Sequence, residues 1–359
     1  MPSPSAMPGI TIIGTGRYLP GEPVTNDALS RVMDTTDAWI QQRTGIHQRH
    51  YAEEGVGASD LGAEASKQAL AAAGLEASAI DYVICATMTP EYLYPGSGGL
   101  LGAKLGIPGV PALDIRQQCA AIPFGLQVAD GLISVGAART VLLVGTEVQS
   151  GFMPWSDWEA VRHPDINRTI APEDWDRANR HRGVSVLFGD GAGAFVLQAA
   201  QKSGQGLLGT VLYSDGREAK QIYVAGGGFL QHPYLSEKTL ANEDMFPRMQ
   251  GRDLFKNAAT KLPRAVREVC KNCGVSIGDV DWFIAHQAND RINEVVRQAL
   301  DVPHEKVPSN ISRYGNTSAA TIPILLDELI RDGSVKRGQL VCFLALGSGL
   351  HWGACLMRL

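Results

Sequence analysis

Apolar runs of four to seven residues recur along the chain and alternate with longer stretches of helical periodicity. Ile10–Gly14, Tyr82–Ala86, Val141–Gly145 and Ala192–Leu197 are apolar at nearly every position. So are Leu207–Tyr213, Trp282–Ala285 and Val341–Leu346. Continuous apolar runs of this length predict strands covered on both faces. Between them Ala58–Ala73, Ala120–Val135, Asn257–Cys273, Arg291–Leu300 and Thr317–Arg331 carry helical spacing. Pro263, near the start of the fourth of these, is expected in a first turn or at a kink. The alternation predicts an α/β fold with helix-covered sheets.

The pattern is written twice. Gly74 to Ala86 (GLEASAIDYVICA) matches Gly274 to His286 (GVSIGDVDWFIAH) at an offset of 200. Cys119 opens CAAIPFGLQVADGLISVG and Asn316 opens NTSAATIPILLDELIRDG. Laid together without a gap, these runs place Asp130 on Asp327, Ile133 on Ile330 and Gly136 on Gly333, an offset of 197. The chain reads as a duplication of halves 1–200 and 201–359, joined near Gln201–Gly206. Polar residues at its unmatched positions, Cys119, His286 and Asn316, are the candidates for chemistry. Ser150 to Arg182 has no counterpart. This insertion holds Trp155, Trp158 and Trp175 and is expected as a long loop that is functional or packs on its own tryptophans.

A chain of 359 residues, 45% of them hydrophobic, suits two domains rather than one core. A net charge of −5 without a basic stripe argues against nucleic acid. No run reaches the length of a membrane span. The opening MPSPSAMPG lacks the regions of a signal peptide and is expected as a disordered lead-in. The six cysteines are scattered. Cys270 and Cys273 form a single CxxC without a second, so neither zinc nor a redox role is expected. A reduced, cytoplasmic protein follows.

Cys119 is expected where the apolar run Val110–Ile115 gives way to a helix, whose N-terminus would favour a thiolate. Its N–H can face an oxyanion once an acyl group is attached. His286 ends one predicted strand and Asn316 starts a helix; both can donate to a carbonyl oxygen and so stabilise an enolate. Decarboxylation can generate that enolate without a strong base.

Cys119, the HQAN of His286–Asn289 and the YGNTSAA of Tyr314–Ala320 resemble the signatures of β-ketoacyl-acyl-carrier-protein synthase III. Further resemblance lies in DTTDAWI at 34–40, RTGI at 43–46, FGDGAGA at 188–194 and GLHWG at 349–353. It implies the thiolase fold: two duplicated βαβ-rich halves in a five-layer αβαβα arrangement, forming a homodimer. It implies an acyltransferase in which Cys119 takes an acyl group from acyl-CoA. His286 and Asn316 then hold the carbonyl of malonyl-acyl carrier protein as CO2 leaves, giving a 3-oxoacyl product that initiates fatty acid biosynthesis. No cofactor or metal is implied. The N–H groups of Cys119 and Ser348 would form the oxyanion hole. Trp39 and Arg182 would sandwich the adenine of CoA, with Arg43 and Thr44 along its phosphates. Phe255, Asn289 and Gly183 would line the pantetheine tunnel. Tyr94 would cross the dimer to close the partner's acyl pocket. Arg291 and Lys256 would dock the acidic carrier protein, with Lys261, Arg264, Arg267 and Lys271 extending the patch.

The chain departs from the family pattern at Gln118–Ile122, at Gly347–Leu350 and at Arg252, which replaces a tunnel asparagine. These departures suggest a medium-chain or branched primer rather than acetyl-CoA. Other thiolase-fold reactions compete. Biosynthetic thiolases need a second cysteine, and hydroxymethylglutaryl-CoA synthases need a glutamate where Met88 stands, with Glu91 nearby. Acyltransferases and head-to-head condensing enzymes of specialised polyketide, quinolone or olefin metabolism would keep Cys and His. A non-catalytic carrier-binding partner would have lost Cys119.

Overall fold

The computed structural model describes residues 9–163 and 168–359. The predicted lead-in and four residues of the insertion lie outside the described residues.

Nine strands build two sheets. The first contains β1 (Ile10–Tyr18), β2 (Tyr82–Ala86), β3 (Ala112–Ile115), β4 (Thr140–Glu147) and β5 (Gly191–Ala199) in the order β1-β5-β4-β2-β3. The second contains β6 (Gly206–Ser214), β7 (Trp282–Ala285), β8 (Leu340–Gly347) and β9 (His351–Arg358) in the order β7-β8-β9-β6. In both, a parallel pair (β2/β4, β7/β8) adjoins two antiparallel ones. β6, β9, β8 and β7 therefore repeat β1, β5, β4 and β2; β3 has no counterpart among the described strands. The sequence pattern predicts all of these strands within a few residues except β9, whose start is the polar pair His351–Trp352.

The principal helices are α1 (Asp37–Thr44), α2 (Ala58–Ala73), α3 (Ala121–Ser134), α4 (Pro172–Ser185), α5 (Gly251–Asn272), α6 (Asp290–Leu300) and α7 (Thr321–Arg331). Strand alternation sorts side chains between layers. Ile84, Leu143 and Phe195 of the first sheet meet Ile284, Phe343 and Met357 of the second in one central core, where α3 and α7 lie. Their neighbours Val83, Leu142 and Val196 face outward onto α2. Phe283, Cys342 and Leu356 face outward onto α5. Helix, sheet, paired helices, sheet and helix make five layers. The central strands of each sheet are covered on both faces, which is why they read as nearly unbroken apolar runs, whereas the edge strand β3 is exposed from Ala112 to Asp114.

The duplication is metrically regular, and one matched pair needs correction. Tyr82 pairs with Val141 and Trp282 with Val341. Asp81 takes the N–H of Thr140 at 2.9 Å; Asp281 takes that of Leu340 at 2.7 Å. Gly74 and Gly274 end α2 and α5 at the same left-handed φ of 66°. The 3₁₀ turns Gln118–Ala120 and Ser318–Ala320, the first residues of α3 and α7, and Pro123 with Pro323 also stand 200 apart. Cys119 thus corresponds to Ala319, and Asn316 to Arg116; they are not equivalents at an offset of 197. A three-residue slip is nearly one helical turn, so it returns apolar residues to almost the same face and matches almost as well.

Two helices differ from expectation. α5 begins six residues earlier than predicted, so Pro263 lies in its interior, where it has no N–H to give to the carbonyl of Ala259. The insertion is not a bare loop. It ends in α4, which starts at Pro172 with Glu173 and Asp174 in its first turn. Trp155 and Trp158 stand edge-on to each other and to Tyr51, closing a small core over α1.

Candidate active site

Cys119, His286 and Asn316 line one cavity, with Phe188, Phe255, Leu346 and Ser348 among its walls. Cys119 follows β3 and precedes α3, His286 follows β7 and precedes α6, and Asn316 lies in the segment between α6 and α7.

Cys119 sits in the 3₁₀ turn just before α3. Gln118 beside it is held at φ 47°, and Ser318, its equivalent in the other half, at φ 50°. Such left-handed conformations are costly for residues with a Cβ and persist only where surrounding structure enforces them. Cys119 is 8% exposed. Burial pushes its thiol up to about 12, against the Ser318 hydroxyl that it reaches at 3.5 Å. The expected resting thiolate is therefore absent near neutral pH: desolvation outweighs the turn and helix amides.

His286 follows β7 and is buried. Burial pulls its imidazole down to about 3, so the ring is neutral at physiological pH. Nδ1 lies 2.7 Å from Thr321 Oγ1, the first residue of α7. That hydroxyl can donate to Nδ1 or, at 3.0 Å, to the Ser318 carbonyl. When it donates to Nδ1, Nε2 carries the ring proton and is a donor toward the cavity.

Asn316 is fixed by its own backbone. Its N–H donates to Leu187 O at 2.8 Å and its carbonyl accepts from Gly189 N at 3.1 Å, a bridge into the first half. Its Oδ1 accepts from Ser318 N at 2.8 Å, so the Nδ2 protons are left to face a ligand.

Gly347 presses on the nucleophile: a Cβ there would stand 2.9 Å from Cys119 N and 2.8 Å from Ala120 N. Ser348 ties its hydroxyl to Ile222 O at 2.5 Å, which fixes the turn that carries its N–H.

The outer residues are divided. Phe255 and Asn289 line the cavity. Asn289 also caps α6 through Arg291 N at 3.0 Å and donates to Arg43 O at 2.9 Å. Gly183 is exposed on α4 and absent from that lining. Trp39 is flanked by both arginines: Arg43 lies 4.3 Å and Arg182 4.7 Å from its ring centre. Arg182, held by Asp34, thus occupies the face of Trp39 where an adenine was expected, and must swing away before a base can stack there. Thr44 is turned inward. It is 3% exposed, with its hydroxyl donating to Ile40 O at 2.7 Å and accepting from Ile46 N at 3.0 Å, so it closes α1 rather than facing a phosphate. Tyr94 projects outward, 81% exposed. Arg252, Lys256 and Arg291 are exposed on α5 and α6.

Met88 Sδ stands 4.0 Å from Ser318 Oγ. Glu91 is turned away, bound to Ser59 N and Ser97 Oγ at 2.6 Å each. The glutamate-dependent reaction thus has no carboxylate at Met88. Cys270 and Cys273 are free thiols at the end of α5. Among the described residues no cluster of three or more His, Cys, Asp or Glu could hold a metal ion, and no helix is long and apolar enough to cross a membrane.

Sequence reasoning missed Thr321, Ser318 and Glu147. Glu147 ends β4 and is fully buried, where burial pushes its carboxyl up to about 7. A lone carboxylate closing an apolar strand was the available signal.

Comparison with known proteins agrees with this geometry. Residues 270–359 match the C-terminal domain of 3-oxoacyl-[acyl-carrier-protein] synthase III, and residues 169–216 match a second domain of that enzyme. Residues 40–158 match the thiolase N-terminal domain. The chain is 39% identical to β-ketoacyl-[acyl-carrier-protein] synthase III of Bordetella petrii, covering 99% of each chain. It is 40% identical to that of Rhodospirillum rubrum, covering 97% of this chain and 98% of the other. The crystal structure of 3-oxoacyl-[acyl-carrier-protein] synthase III from Aquifex aeolicus superposes with a TM-score of 0.83 at 37% identity, over 98% of this chain and all of that one. With the five-layer duplicated fold and Cys119, His286 and Asn316 in one cavity, the chain belongs to the β-ketoacyl-acyl-carrier-protein synthase III family of thiolase-fold condensing enzymes.

Proposed function

We propose that the protein transfers an acyl group from acyl-CoA to Cys119 and condenses it with malonyl-acyl carrier protein, releasing CoA and CO2 and forming a 3-oxoacyl-acyl carrier protein. The observation that carries this reading is the convergence of a buried thiol with two neutral donors, His286 and Asn316. A neutral imidazole and an amide can hold an enolate oxygen without protonating the carbon that must attack. Loss of CO2 supplies the electron pair, so no strong base is required. The attacked acyl carbonyl lies against the N–H groups of Cys119 and Ser348, which act as its oxyanion hole.

The remaining assignments belong to the same reading. Trp39, Arg43 and Arg182 hold the nucleotide end of CoA, and Phe255 and Asn289 its pantetheine arm. Lys256 and Arg291 meet the acidic carrier protein. The enzyme works in the cytoplasm as a homodimer, and the halves 1–200 and 201–359 are its two duplicated domains. The dimer is supported by Tyr92, Leu93 and Tyr94, exposed at 59%, 51% and 81%, beside the unpaired edge of β3. The primer is medium-chain or branched, and a sharp optimum with acetyl-CoA would contradict that choice.

Product analysis tests the reaction. With acyl-CoA and malonyl-acyl carrier protein, the expected products are CO2 and a 3-oxoacyl carrier protein two carbons longer than the primer. An ester or amide formed without CO2 would overturn the assignment.

A further inference from the structure

A buried thiol whose proton is held tightly cannot attack a thioester until that proton has somewhere to go, and His286 is not the only group within reach. Glu147 lies at the end of β4, fully buried. Its Oε2 accepts from Thr89 Oγ1 at 2.7 Å, Met88 N at 3.1 Å and Thr87 Oγ1 at 3.2 Å, whereas Oε1 has no hydrogen-bond partner. A carboxylate oxygen buried without a partner is costly, and sites that retain one commonly use it. Ser318 is not hydrogen-bonded to this carboxylate, but its hydroxyl is close enough to help lower the carboxyl's pKa, and Oε1 is the oxygen left open to it. On its other side Ser318 Oγ receives the Cys119 thiol at 3.5 Å. The left-handed φ of Ser318 fixes the backbone from which this hydroxyl reaches Cys119.

We propose that Ser318 and Glu147 form the path by which the Cys119 proton leaves and returns, with Glu147 acting through Ser318 as a positioning residue and proton store. As the Cys119 sulfur bonds to the acyl carbon, its S–H bond breaks and the proton passes to Ser318 Oγ. The Ser318 hydroxyl proton moves in turn to Glu147. When the thioester bond to CoA breaks, a proton returns along the same path to the CoA sulfur, and Glu147 is again a carboxylate. Nothing is oxidised or reduced. Burial raises Glu147 to about 7, which matches a group that exchanges a proton near neutral pH. The titratable groups that feel its charge are Cys119 and, within β2, Cys85. Its pKa-lowering partners are neutral: Thr89, the Met88 N–H, Ser318 and Thr87.

The substrate in this scheme rests on the proposed acyl transfer, so the test reads the thiol alone. Iodoacetamide alkylation of Cys119, followed by peptide mass spectrometry from pH 5.5 to 9, reports thiol reactivity whatever the primer is. The wild type is expected to rise through pH 7 and level off. E147Q and S318A are each expected to react about 100-fold more slowly at pH 7.5, with rates that climb with hydroxide and show no plateau. A merely structural role would lower the rate without removing the plateau. S318A decides alone if E147Q does not fold. Variants that keep the wild-type profile would overturn the proposal, as would loss of the plateau in H286A alone, which would make His286 the acceptor.

Discussion

Gly347→Ala is the most direct probe of the turn that backs the nucleophile. The new methyl would sit 2.8 Å from Ala120 N, 2.9 Å from Cys119 N and 2.9 Å from Gln117 O. All three are backbone atoms in a turn locked by the φ of Gln118, so no flexible side chain can give way. Restoring ordinary contact requires the Cys119 turn or the Gly347–Ser348 segment to retreat by about 0.5 Å. That movement spreads the two N–H groups assigned to the oxyanion hole. Removing one such donor costs about 100- to 1,000-fold, and a half-ångström displacement should approach the lower end, about 2.7 kcal/mol. Overpacking should lower stability by about 1–3 kcal/mol. The assay is the single-turnover rate of Cys119 acylation, by quench and mass spectrometry, with the acyl-CoA that the wild type uses fastest. Alkylation by iodoacetamide, which forms no oxyanion, should change by only a few-fold. Acylation within about threefold of wild type in the folded variant would refute the placement of the hole.

Other outcomes follow from the charges and the outer site. Glu147 is raised from 4.5 to about 7, so its stabilising contribution is present below pH 4.5 and lost as pH rises through 7. E147Q should therefore be more stable than wild type at pH 8, by at most about 3 kcal/mol, in urea unfolding. His286 is lowered from 6.5 to about 3, so its contribution is present above pH 6.5 and lost as pH falls toward 3. H286Q should flatten the decline of melting temperature with acid over that window. Trp39→Ala should raise KM for acyl-CoA about tenfold and leave kcat within about twofold, because stacking on that ring belongs to binding. Lys256→Glu should raise KM for the carrier protein several-fold and weaken its salt dependence without changing Cys119 acylation by acyl-CoA.

What the sequence revealed depended on period. β2 and β7 were legible to the residue or nearly so, because strands covered on both faces leave no polar interruption. The paired Asp81 and Asp281 were visible as a repeat, and their purpose emerges in the structure as identical clamps on β4 and β8. The three-residue slip between Cys119 and Asn316 arose because helical faces nearly repeat at that shift; the prolines at 123 and 323 would have fixed the register. α4 was obscured by its charged face within the insertion, although Pro172 followed by two acids signals a helix start. His286 was found through the repeat, Cys119 and Asn316 through the slipped match, and all three through the family resemblance. Ser318 and Glu147 were not, since their roles depend on contacts across 171 positions of chain between β4 and the turn before α7. Thr44, which the resemblance places along the CoA phosphates, is buried with its hydroxyl bonded to Ile40 O within α1.

The central claim, that Cys119 is the acyl carrier of this chain, is tested most directly by mixing the protein with acetyl-, isobutyryl-, hexanoyl-, octanoyl- and decanoyl-CoA and mapping adducts by peptide mass spectrometry. The account predicts a single acyl adduct on the Cys119 peptide, lost in Cys119→Ala and discharged when malonyl-acyl carrier protein is added. An adduct on another residue, or a folded wild type that acquires none from any of the five, would contradict it.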